Sequence, residues 1–134
     1  MTITNFGDLM SAARAQAEPQ RMLFAFAKAE LPEDADELER ARYAQGQGGA
    51  LKPVMCVDKM VDEVASFEAL VAESKHTGAD WDVVFVTTMS GRGGVAPPSK
   101  DAEAPLNMMV TYIHTGQVER FLAFGRDGVP LRFS

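Results

Sequence analysis

Two stretches decide what this chain can fold into. Arg21-Met-Leu-Phe-Ala-Phe-Ala27 and Trp81-Asp-Val-Val-Phe-Val-Thr87 are apolar at consecutive positions, not at alternate ones. Successive side chains of a strand point to opposite faces, so a strand apolar throughout needs cover on both sides. A sheet flanked by helices supplies that cover, and the intervening segments read as the helices. Asn5 and Asp8 form a capping pair ahead of Phe6, Leu9, Met10 and Ala13, which share one apolar face, and Pro19 closes this first helix. Leu31-Pro-Glu-Asp34 opens a second helix, with Asp34 as cap and Glu37 closing the box, and Gly46 to Gly49 end it. Val61, Val64, Phe67 and Val71 mark a third helix ending near Gly78. Leu106, Met109, Val110 and Ile113 mark a fourth, which stops at Gly116.

A further strand spans Leu51 to Val57, with Pro53 near its start, where a missing N–H is tolerated. At the C-terminus, Arg120–Phe124 and Val129–Phe133 flank Arg126-Asp127-Gly128, a hairpin signal. Pro130 and Arg132 share one side of the last strand and mark it as an edge open to water. The order is αβαβαβαββ. The third helix and its flanking strands have the length of a βαβ crossover. These features predict a single α/β domain over residues 1–134. Its sheet is expected to be mainly parallel, flanked by helices, with an antiparallel C-terminal hairpin at or near one edge. A thioredoxin-like arrangement is the alternative, because it shares this order, although it would lack the paired cysteines and the terminal helix.

Composition removes several function classes. The 134 residues carry 13 Lys and Arg against 19 Asp and Glu, a net charge of −6. That balance argues against nucleic acid or an anionic membrane as partner. Cys56 is the single cysteine, so an intrachain disulfide and a cysteine-rich metal or cluster site are excluded. His76 and His114 both fall near predicted helix C-termini, where the dipole favours an imidazolium. Neither a metal nor a cofactor is expected. The N-terminus has no secretory pattern, and no apolar run approaches the roughly 18 residues of a membrane span, so the expected compartment is the cytoplasm.

In a parallel sheet, ligands bind outside the carboxyl ends of the strands. Those ends carry Glu30, then Cys56, Asp58 and Lys59, then Thr88, Ser90, Gly91 and Arg92. The stretch Ser90-Gly-Arg-Gly-Gly94 is the most suggestive of these, because glycine backbone N–H groups and Arg92 can converge on an anion. It is neither a P-loop nor a dinucleotide fingerprint, since Gly-Lys-Ser/Thr is absent and no helix follows directly. The candidate ligand set is therefore Ser90, Gly91, Arg92, Gly93 and Gly94 with Asp58 and Lys59. Cys56 near a strand end and beside Lys59 is a candidate reactive thiol, but no base is adjacent, and Val54 and Met55 before it favour a packed, inert one. Met108 and Tyr112 lie off the main stripe of the fourth helix and form a candidate partner surface.

Arg21-Met-Leu-Phe-Ala-Phe, Ala29-Glu-Leu-Pro-Glu-Asp, Gly48-Gly-Ala-Leu-Lys-Pro-Val-Met-Cys-Val-Asp-Lys59, Trp81-Asp-Val-Val-Phe-Val and Ser90-Gly-Arg-Gly together resemble a family of small bacterial proteins. Some of its members carry the label "ribonucleotide reductase subunit alpha". The resemblance spans nearly the whole chain and brings no catalytic residues to transfer. Ribonucleotide reduction needs one cysteine for a radical and a further pair as reductant, so Cys56 alone cannot perform it. No catalytic motif assigns an enzyme class. The expected function is a binding or protein-interaction module, with a homo-oligomer formed through the edge hairpin or an exposed helix face. Small-anion or nucleotide-type binding around Ser90–Gly94 is the first alternative, and a small enzyme of undetermined class the second.

Overall fold

The computed structural model describes residues 3–30, 36–44 and 50–131. Helix α1 (Phe6–Arg14) is followed by strand β1 (Gln20–Glu30), α2 (Glu37–Ala44), β2 (Ala50–Met60) and α3 (Phe67–Lys75). Then come β3 (Val83–Ser90), α4 (Glu103–Thr115), β4 (Leu122–Gly125) and β5 (Pro130–Leu131), with short 3-10 turns before α3 and α4. The five strands form one sheet in the order β2-β1-β3-β4-β5, and every neighbouring pair is antiparallel.

This corrects the expected parallel sheet and excludes the thioredoxin-like alternative. The crossover through α3 does join two strands of the same direction, since β2 and β3 are both antiparallel to β1. They are not neighbours, because β1 occupies the gap between them. Apolarity on both faces reports cover on both faces and carries no information on strand direction. The length of a helical connection is likewise compatible with stepping over one strand as with reaching the next.

The two faces of β1 build two cores. Met22, Phe24 and Phe26 point to one face, where they pack with Phe6, Leu9 and Met10 of α1, Phe67 and Leu70 of α3, and Trp81. Leu23, Ala25 and Ala27 point to the other, under Met109 and Ile113 of α4. All six β1 residues are buried. On the first face Phe6 is an aromatic hub, with ring centroids 5.0 Å from Phe67, 5.5 Å from Phe124 and 6.4 Å from Phe24. The edge-to-face contacts with Phe67 and Phe124 add about 0.5–1.5 kcal/mol each beyond burial. α1 is started by Asn5, whose side chain accepts from the Asp8 N–H at 2.8 Å. The Asp8 carboxylate in turn accepts from the Thr4 hydroxyl and N–H, which holds its carboxyl below the usual range. α1 stops at Arg14, short of Pro19, and α4 stops at Gly116, which adopts a left-handed φ of 77°.

β2 and β5 are the edges of the sheet among the described residues. β2 has eleven residues, and long open edges invite pairing with other chains. Pro53 removes one N–H from it, Lys52 places a charge beside it, and the pairing with β1 slips between Phe26 and Ala27, opposite Met55 and Pro53. Each is a device that discourages strand addition. β5 pairs with β4 through only two residues, Pro130 and Leu131. The C-terminal strands thus form an antiparallel hairpin at the edge. Asp34 and Gly46–Gly49, which bound the second helix in the sequence reading, lie outside the described residues, as do Arg132 and Phe133.

Trp81 is 1% exposed, and its indole N–H donates to Ser74 Oγ at 2.8 Å, while that hydroxyl donates to the Val71 carbonyl at 2.6 Å. This ties α3 to the approach of β3. Ser74→Ala leaves the indole N–H buried without an acceptor, which costs about 1–3 kcal/mol. The urea midpoint followed by Trp81 fluorescence should fall accordingly; an unchanged midpoint would show that this bond does not hold α3 in place.

Candidate functional site

The register of the sheet places each candidate residue. Along β1, Gln20 faces Ser90, Arg21 lies between Met60 and Met89, Met22 between Lys59 and Thr88, and Leu23 between Asp58 and Thr87. The C-terminal ends of β2 and β3 therefore meet at the start of β1. Glu30 faces Ala50 at the opposite end of the sheet, because β1 runs the other way. Cys56 faces Ala25, five residues along β1 from the Gln20–Ser90 pair. At about 3.4 Å per residue this separates them by roughly 17 Å along the strand.

Alternation then divides the set between faces. Asp58 points to the α4 face, where its Oδ2 accepts from Arg21 at 2.7 Å and from the Ser99 hydroxyl at 2.7 Å. Arg21 also donates through Nε to the Pro97 carbonyl at 2.8 Å, and both members of the ion pair are largely covered. Lys59 points to the other face and pairs with Glu73 of α3 at 2.7 Å. Asp58 and Lys59 thus come to the same end of the sheet as Ser90–Gly94, but on opposite sides of it. Each is engaged in an ion pair that joins β2 to another part of the chain.

The glycine stretch is the tip of a tight hairpin. Arg92 and Val95 exchange both backbone hydrogen bonds, at 3.0 Å each. The two residues between them, Gly93 and Gly94, have φ of 58° and 79°. Positive φ at both central positions is the signature of a type I′ turn, which glycine enters without a Cβ clash. Gly91 answers a different demand, since a Cβ there would overlap the Val95 carbonyl oxygen. The N–H groups are also engaged: Gly91 donates to the Pro19 carbonyl at 2.8 Å, and Gly94 to the Glu18 carboxylate at 2.7 Å. The Ser90 hydroxyl accepts from Gln20 Nε2 at 3.1 Å. Arg92 stands exposed on the tip. Arg21, Glu18, Gln20 and Ser99 were not anticipated as members of this network; the one cue was an arginine opening a strand otherwise buried on both faces.

Cys56 is exposed, which corrects the expectation of a packed thiol. β2 is an edge strand, so among the described residues its side chains lack a neighbouring strand on one flank. The cover that remains still pushes the thiol above its ordinary value of 9.0 by desolvation. Lys59 cannot oppose this from the other face. Among the described residues, no group of three or more His, Cys, Asp or Glu side chains gathers as a metal site would require. No helix there is long and apolar enough to cross a membrane.

The other edge of the sheet is chemically different. A groove of about 550 Å³ runs beside β4 and β5, lined by Ile3, Val118, Phe121, Leu122, Pro130 and Leu131 among others. Leu122 and Leu131 are 38% and 39% exposed on it, and Val129 in the adjoining turn is 53% exposed. Next to the groove, the Arg120 guanidinium lies 4.0 Å over the Tyr112 ring, and Tyr112 in turn packs toward Phe121. Met108, four residues before Tyr112 on α4, is 56% exposed. No protein-family model, curated protein or solved structure matches this chain.

Two outcomes are expected at the β2–β3 end. Gly91→Ala forces the hairpin tip apart and should destabilise the fold by about 1–3 kcal/mol, as overpacking does; a urea midpoint equal to the parent's would contradict the close approach. Cys56 should react with iodoacetamide along a pH profile whose midpoint lies above that of an unhindered thiol, because burial disfavours the thiolate. A midpoint near neutrality would mean instead that the thiolate is stabilised.

Proposed function

We propose that this chain is a protein-interaction module that associates with a second copy of itself through the β4–β5 end. The observation that carries this reading is a largely apolar groove at one edge, where Leu122 and Leu131 are both partly exposed, one on each face of the sheet. Apolar surface left open at a strand edge is unfavourable for a monomer in water and characteristic of contact sites. A two-fold contact uses one patch twice, so an edge that carries both a groove and protruding apolar side chains can be complementary to itself.

Charge supports the same choice of occupant. The chain carries −6 overall, and six of its acids fall between Glu30 and Glu39. The lining of the groove, by contrast, carries one charged side chain, Glu119, and Arg120 follows it in the chain. Little like charge therefore opposes two copies that meet at the groove. Backbone pairing contributes little among the described residues, where β5 offers two residues and one of them, Pro130, has no N–H. Side chains therefore dominate the contact, with the Arg120–Tyr112 pair beside Phe121 at its rim, residue types enriched at interfaces. The anion-binding alternative draws less support. Gly94 N–H is occupied by Glu18 and Lys59 by Glu73, leaving Arg92 as the exposed cation of the set.

Size-exclusion chromatography with light scattering should give a mass approaching twice 14.5 kDa as concentration rises. Leu122→Glu with Leu131→Glu should return the monomer while leaving the urea midpoint nearly unchanged, since both side chains are partly solvated. A strict monomer at millimolar concentration, or a dimer indifferent to both substitutions, would remove this reading.

A further inference from the structure

We draw no further inference here: the strongest candidate, the cleft of about 520 Å³ where the first turns of α1 and α3 meet beside Arg14 and Asp127, consists of two helix N-termini with nothing else in the structure that points to a ligand.

Discussion

β1 is the constraint on which the rest of the structure depends. It makes the two longest pairings of the sheet, with β2 on one side and β3 on the other, and its side chains feed both cores. Full burial of a large apolar side chain stabilises by about 1.5–3 kcal/mol relative to exposure. Such gains arise here only if α1, α3 and α4 all close over the same strand. The aromatic face and the alanine-rich face are unequal. Phe24 and Phe26 meet other rings, whereas Ala25 and Ala27 leave room for Met109 and Ile113 of α4. The helices are placed by what β1 presents to each side.

The ends of the strands are fastened by a second kind of interaction. Arg21 opens β1 with a charge on the α4 face, and Asp58 answers it from β2. Ser99 and the Pro97 carbonyl join the same cluster, so the segment between β3 and α4 is fixed across the sheet end. On the opposite face Lys59 and Glu73 fasten β2 to α3. Such partly covered pairs favour one arrangement over others more than they add stability, because desolvation offsets much of the attraction. Polar residues at this end therefore have structural work that explains their presence without a ligand.

Much of the local structure was legible in the residues. The Asn5 cap, the buried face of α1 and the Gly116 stop follow from spacing and side-chain chemistry that act within one turn of helix. Strand direction was not legible, because β1 meets β3 across more than fifty residues of chain and no periodicity encodes which strand lies between which. The candidate site shared that limit. Asp58, Lys59 and Ser90 do arrive at one sheet end, yet on two faces, and a shift of one residue decides the face. The glycines were visible as a cluster, but whether their N–H groups turn outward or close a hairpin depends on Val95 and Glu18. Cys56 was misplaced for a related reason: the apolar residues before it say what the strand packs against, not that the strand is outermost.

The position of β1 also bears on how the chain assembles. It is synthesised before either strand that will flank it, and β3 and α4 come from the second half of the sequence. Until those parts emerge, a run of consecutive apolar residues with unpaired backbone on both sides has no complete shelter. Such segments are the ones through which nascent chains stick to one another. The strand that organises the finished molecule is thus one the growing chain must protect until its second half has emerged.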